Sequence, residues 1–484
     1  MTAANQIVSR NFELARTHIR SRSFPDADLA LAVSLNPPTL GPLPVRPAAH
    51  PQSGPILRRV AESLAGARSS EAAVTDAISA AQECAELGGV VHLDEEGALA
   101  RARTLDAAAR TGRAAGPLHG VPITIKDVIH VAGMPTRAGS AAYHVRPVRD
   151  AAGVALLRAA GAVILGKVAT HEFALGVTTP QARNPWDPAR IPGGSSGGSA
   201  IALVKGIGAG SLGTDTRASI RVPAALSGVV GFKPTFGRIA TAGVVTLSWS
   251  MDHVAPMARN VADAALLMDI LLGTPGDLTG YDGASVAGLR IGVPAAAFED
   301  ADPGVAAAVT RAIAALGELG ASVVPVAQPN RSDFELANLA GLIVSRCEAA
   351  AYHGALGTDL RRYWDETRLQ LEAAAEIPAG EYLAAQRARA GMMAEMAAVF
   401  DTVDVLAMPT SLVPAPLVPE AEQYLMTLAR NCIPWSFVGF PAISLPAADR
   451  VGGLPVGLQL VAPPCHEAVL VALGTAYERA AGLD

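Results

Sequence analysis

Two neighbouring stretches rich in glycine and hydroxyl groups constrain this chain more than any other feature. The first runs Gly193-Gly194-Ser195-Ser196-Gly197-Gly198-Ser199, and the second runs Gly213-Thr214-Asp215-Thr216-Arg217-Ala218-Ser219-Ile220-Arg221. The glycines around the first serines free the backbone to take conformations that other residues avoid. Such a backbone turns main-chain N–H groups toward one small region. That region then holds a candidate nucleophile together with candidate oxyanion donors. The pattern points to acyl-transfer chemistry.

Lysine is scarce. The chain has 38 lysines and arginines together, but only Lys126, Lys167, Lys205 and Lys233 are lysine. Arginine stays protonated in proteins, whereas a buried lysine can lose its proton. Lys126 sits in an apolar, strand-like run, Gly120-Val121-Pro122-Ile123-Thr124-Ile125-Lys126-Asp127-Val128. Desolvation there lowers the amine pKa, and a neutral amine can serve as a general base. The competing reading is an edge-strand lysine paired with Asp127.

The bulk composition narrows the class. A chain of 484 residues allows two or three average domains or one large α/β unit. Half of it is hydrophobic and only 4% aromatic, so the core is built mostly of Ala, Val, Leu and Ile. A net charge of −6 with scattered arginines gives no electrostatic case for a nucleic-acid partner. Cys84, Cys347, Cys432 and Cys465 are far apart, as expected of reduced thiols in a cytoplasmic protein with no zinc site. Residues 1–30 contain no signal-peptide core, and no apolar run reaches transmembrane length. His171-Glu172 is an isolated pair without a second metal ligand and reads as structural.

Seven prolines between Pro37 and Pro55 break regular structure, so residues 1–55 read as an extension. It is expected to hold a short helix near Asn5–Arg20 and then an arm on the body, or else to be disordered. From residue 56 helices and strands alternate. Helices are expected at 56–66, 69–86 (capped at Ser69-Ser70-Glu71), 94–111, 154–160, 201–206, 305–319 and 466–481. Residues 342–400 read as mostly helical. Strands are expected at 122–129, 162–165, 207–214, 229–232, 289–293, 321–326, 403–408, 441–446 and 456–461. The fold class is α/β, with a central mixed sheet flanked by helices in one large domain, 56–484. Residues 329–425 follow the least regular pattern and are expected to shape a substrate pocket.

The glycine–serine loop, the Gly-Thr-Asp-x-x-x-Ser-Ile-Arg stretch and the upstream Pro-Ile-x-Ile-Lys-Asp together resemble the amidase signature family. Arg183-Asn184-Pro185-Trp186-Asp187 resembles its lead-in, and Val230-Gly231-Phe232-Lys233-Pro234-Thr235-Phe236-Gly237-Arg238 its lead-out. Gly439-Phe440-Pro441-Ala442 and Gly453-Leu454-Pro455-Val456-Gly457-Leu458-Gln459 also fit. The resemblance covers residues 56–484. It implies Ser219 as nucleophile, Ser195 as a bridging serine after a cis peptide bond, and Lys126 as base. It further implies an oxyanion hole from the N–H groups of Thr216, Arg217, Ala218 and Ser219, with an acyl-enzyme and neither metal nor cofactor. Asp215 and Arg221 are expected to pair and, with Ser196, to brace the loop.

The chain departs from the family pattern at Arg217-Ala218, where two glycines are usual. A Cβ at a position with φ > 0 is strained. Either the hole forms regardless, with Arg217 reaching the substrate mouth and biasing binding toward carbonyl-rich or anionic substrates, or the hole is distorted. The leading reading is a free-standing hydrolase of small amides, with carbamates (urethanes) and ureas as further substrates. The alternatives are one component of a tRNA-dependent amidotransferase and an inactive relative. A phosphate-binding loop is discarded, because no lysine follows the glycines. Trp249, Met251, Leu342, Ile343 and Trp435 are candidates for either pocket wall or core. Oligomeric state is open, a homodimer being common in the family.

Overall fold

The run Pro122-Ile123-Thr124-Ile125-Lys126 is apolar and β-branched except at its ends, which suits a strand covered on both faces. In the computed structural model, which describes residues 12–15, 17, 19, 43–48 and 54–483, it is a central strand. The strands are β1 (Val90–Leu93), β2 (Pro122–Lys126), β3 (Val163–Val168), β4 (Gly210–Asp215), β5 (Val230–Lys233), β6 (His253–Ala258), β7 (Arg290–Pro294), β8 (Ser322–Val326), β9 (Val405–Pro409), β10 (Ala442–Pro446) and β11 (Gly457–Val461). They form one 11-stranded sheet in the order β1-β3-β2-β4-β6-β5-β10-β11-β9-β7-β8. β3, β2 and β4 are parallel, as are β9, β7 and β8; the other neighbours are antiparallel. The fold is therefore α/β with a single large mixed sheet flanked by helices.

Strand alternation sorts the core into two layers. From β6, Val254 and Ala258 enter the larger core, against helices Val261–Leu272 and Glu467–Ala481. Ala255 and Met257 face the other way, into a cluster with Ala200, Leu203, Ile220 and Ala224 of the loop-and-helix region around the glycines. The same alternation in β9 sends Leu406 and Met408 toward helices Arg331–Leu356 and Ala379–Val399. Those two helices and Asp365–Ala375 fill the stretch expected to be helical.

Ser69 does cap its helix, accepting from the Ala72 N–H at 3.0 Å. Several expectations need correction. The helix after the glycine loop begins at Gly197 rather than residue 201, because the loop glycines themselves form its first turn. Two helices, Arg221–Ser227 and Val261–Leu272, stand where none was expected. β1 went unread, and so did β6, in which Pro256 argues against a central strand. Of the expected N-terminal helix, residues 12–15, 17 and 19 are helical, and Phe12, Ala15 and Ile19 are buried against the second layer. The rest of it lies outside the described residues. Farther along the extension, Val45 is buried in the larger core and the Ala48 N–H donates to Gly280 O at 2.8 Å. Among the described residues no helix is long and apolar enough to cross a membrane.

Candidate active site

Lys126 ends β2 and is completely buried. Its Nζ lies 2.7 Å from Ser195 Oγ and 2.8 Å from Thr214 Oγ1, with Thr214 O at 3.4 Å. Among the described residues no carboxylate is hydrogen-bonded to it. The pairing with Asp127 is not formed: Asp127 Oδ1 instead takes Lys167 Nζ, at 2.9 Å. Burial pulls the Lys126 pKa down to about 7, against a smaller upward pull from Asp215 and Asp252. A neutral amine has two N–H groups and one lone pair. In the neutral form the two oxygens of Thr214 can accept those N–H groups, which would leave the lone pair to face the Ser195 hydroxyl.

The glycine loop brings Ser195 to this amine. The Gly194–Ser195 peptide bond is cis, and Gly193 has φ +81°. The loop also presses against its neighbours. A Cβ on Gly198 would sit 2.3 Å from Ala169 N and 2.6 Å from Gly89 O, so only glycine fits there. Ser195 O accepts from the His171 N–H at 3.2 Å. The Ser196 N–H donates to Ser219 O at 3.1 Å, which ties the two motifs together, and Ser196 Oγ donates to Thr214 O at 3.3 Å.

The second motif leaves β4 and turns into helix Arg221–Ser227. Asp215 and Arg221 form a fully buried pair, Nε to Oδ2 at 2.9 Å and Nη2 to Oδ1 at 3.2 Å. Burial alone would raise the Asp215 pKa, but the Arg221 guanidinium overrides it and holds the carboxyl well below the usual range. Arg221 also donates to Arg217 O at 3.1 Å, Ser436 Oγ at 2.7 Å, and Cys432 O and Gln459 Oε1, each at 2.9 Å. The loop is thus clamped by its own pair and by β11. Thr216 Oγ1 donates to Asp252 Oδ1 at 2.6 Å. Burial raises the Asp252 pKa to about 6, partly offset by its hydrogen bonds from Thr216, Ser248 and Leu247. The N–H groups of Thr216, Arg217, Ala218 and Ser219 meet no acceptor among the described residues.

The strain anticipated at Arg217-Ala218 does not arise. Neither residue is among the described non-glycine residues with positive φ. Ala218 is wholly buried against Ile191, Val222 and Leu428. The Arg217 side chain leaves the loop and reaches a cavity of about 340 Å³, where Nη2 donates to Asn338 O at 3.1 Å. Thr216 and Ser219 open onto the same cavity. Residues 329–425 supply Leu342, Arg346, Glu366 and Gln370 to its wall. Of the other apolar candidates, Met251, Ile343 and Trp435 are core and Trp249 is 51% exposed.

Sequence reasoning assigned no role to Thr214, Asp252, Ser436, Arg346 or Glu366. Thr214 and Gln459 lie inside the quoted motifs, which was the available signal. His171 and Glu172 are both buried, and Glu172 Oε2 accepts the Trp364 N–H at 2.8 Å.

The glycine–serine loop, the buried lysine and the mixed sheet define the class: an α/β hydrolytic fold of the amidase-signature kind. The Amidase family model matches residues 72–471, and the chain belongs to this family. It is an amidase, a hydrolase acting on carbon–nitrogen bonds. It is 39% identical to a glutamyl-tRNA(Gln) amidotransferase component of Chloroflexus aurantiacus, over 80% of this chain and 88% of that one. It is 38% identical to an amidase of Pseudomonas putida, over 88% of this chain and 95% of the relative. A crystal structure of an amidase superposes with a TM-score of 0.81 at 35% identity, covering 88% of this chain and 99% of that one.

Proposed function

We propose that this chain is a free-standing amidase of small amides, in which Lys126, Ser195 and Ser219 form a proton relay. The observation that carries the reading is the buried Lys126 amine, 2.7 Å from Ser195 Oγ and free of any hydrogen-bonded carboxylate among the described residues. Neutral Lys126 takes the Ser195 proton as Ser195 takes the Ser219 proton, and Ser219 Oγ bonds to the substrate carbonyl carbon. The unspent N–H groups of Thr216 to Ser219 receive the oxyanion. One such donor is typically worth about 3–4 kcal/mol of barrier. The C–N bond then breaks as Ser195 returns a proton to the leaving nitrogen, and an ester to Ser219 remains. Water, deprotonated through the same relay, hydrolyses that ester and restores both serines. Carbamates and ureas present the same tetrahedral chemistry and belong to the substrate range. The cavity of about 340 Å³ suits small molecules, which typically occupy roughly 300–1,000 Å³.

A fluorophosphonate is expected to label the wild type at Ser219 and not Ser219→Ala. The purified chain alone is expected to hydrolyse a simple anilide. No labelling and no turnover would leave an inactive relative. The 39% identity to an amidotransferase component supports a second reading, in which the chain works only with partners. Ser219 labelling without turnover of any free amide, ester or carbamate would favour that reading.

A further inference from the structure

We propose that the cavity beside Ser219 is built for amides that carry one carboxylate, held by the Arg217 and Arg346 guanidiniums, on an otherwise apolar body. The inference rests on the hydrolase reading above and adds the substrate class.

Two guanidiniums line this cavity, and among the described residues neither is in an ion pair. Arg217 Nη2 is anchored to a main-chain carbonyl, Asn338 O, and its Nε is buried with no partner among the described residues. Arg346 is 6% exposed. It lies two turns beyond Asn338 on the same helix, and hence on the same face. Its Nε donates to Gln370 Oε1 at 2.7 Å and its Nη1 to Ser345 Oγ at 3.3 Å, both neutral groups.

The opposing charge is small. Glu366, with 39% of its side chain exposed, shares the wall, and Glu422 is exposed at the rim. Burial lowers the Arg217 pKa to about 9, with Arg346 pushing the same way, and lowers Arg346 to about 10 against the pull of Glu366. Both therefore stay protonated at neutral pH. Within the cavity the two guanidiniums face one half-buried carboxylate, while the second, Glu422, is exposed to water, so positive charge is in excess around Arg217 and Arg346. Buried charge without a partner is costly, and a bound monoanion removes that cost. A dianion would meet Glu366. The remaining wall, including Leu175, Val177, Leu247 and Leu342, offers only apolar contact. Arg217 stands two residues before Ser219, where the family pattern has glycine, so this guanidinium is a feature of this chain at the reacting end of the cavity.

The test compares matched amides by kcat/KM. One arm sets adipic acid monoamide against hexanamide, placing the carboxylate on the acyl half. The other sets N-hexanoylglycine against N-isobutylhexanamide, placing it on the amine half. The wild type is expected to prefer the carboxylate member at least tenfold in one arm. In Arg217→Gln and in Arg346→Gln that ratio is expected to fall below threefold. A wild-type ratio near one in both arms overturns the proposal, as does a ratio kept in both variants. The Kd of Ser219→Ala protein for the same compounds separates this from the hydrolase reading. If nothing is turned over and Ser219 is not labelled, the hydrolase reading fails alone, and a tenfold tighter Kd for a carboxylate member still supports the anion site. Equal Kd values overturn it.

Discussion

Lys126 and Lys167 lie on adjacent parallel strands, Ile125 of β2 standing opposite Lys167 of β3, and both are wholly buried. Their surroundings differ in kind. Lys167 has a carboxylate, Asp127 Oδ1 at 2.9 Å, with Thr136 Oγ1 at 3.1 Å and Pro135 O at 3.4 Å. Lys126 has hydroxyls and one carbonyl. Burial pushes both amines down, but only Lys167 has a hydrogen-bonded counter-charge resisting it. On the reading proposed above, Lys167 belongs to the scaffold and Lys126 moves a proton. Lys233 is also buried without a hydrogen-bonded carboxylate among the described residues, but its amine meets Pro234 O, Phe440 O and His253 Nε2. What sets Lys126 apart is the Ser195 hydroxyl at 2.7 Å.

The largest expected effect comes from removing the unpaired amine. Lys126→Met should lower kcat/KM on any amide by roughly 10³-fold or more, since positioned bases contribute about 10²–10⁴-fold and members of a relay fail together. Its fold should survive, as judged by circular dichroism. A variant retaining a tenth of wild-type activity breaks the contrast between the two lysines.

Lys167→Met should do the reverse. It strands the Asp127 carboxylate in the core and should cost about 3–5 kcal/mol in urea unfolding. Adding Asp127→Asn should restore part of that loss, because no charge then lacks its partner. Equal unfolding curves for wild type and Lys167→Met would show that the pair is not a stabilising element.

Thr214→Val tests how the working amine is aimed. It removes the Oγ1 acceptor at 2.8 Å while keeping the side-chain shape. We expect kcat to drop about tenfold with little change in KM, about 1.4 kcal/mol of barrier. A change confined to KM would place Thr214 in substrate binding instead.

Lysine scarcity and the two glycine–serine motifs pointed to Lys126 beside Ser195 and to the Asp215–Arg221 pair, contacts that the structure forms. Ser219 opens onto the cavity, with no hydrogen bond from its Oγ to Ser195 Oγ among the described residues. The pairing of Lys126 with Asp127 was a natural misreading of neighbours in sequence. Consecutive strand residues point to opposite faces, so Asp127 shares its side with Ile125 and hence with Lys167 across the ladder. The helix start at Gly197 was hidden because glycine disfavours helix interiors, while here tight contact with Ala169 and Gly89 requires it. Arg346 and Glu366 were illegible as site residues, since a helical pattern does not say which face meets a cavity. The strain foreseen at Arg217-Ala218 presumed a left-handed backbone that the loop does not adopt.

The central claim is that Lys126 is an uncharged base near neutral pH. The rate of fluorophosphonate labelling at Ser219, measured from pH 5 to 10, tests it most directly. Protonated Lys126 cannot accept the relayed proton, so the rate should be low in acid, rise with pH and reach half its plateau at about 7. A half-point near the ordinary lysine value of about 10.4, or the same profile in Lys126→Met, would contradict it.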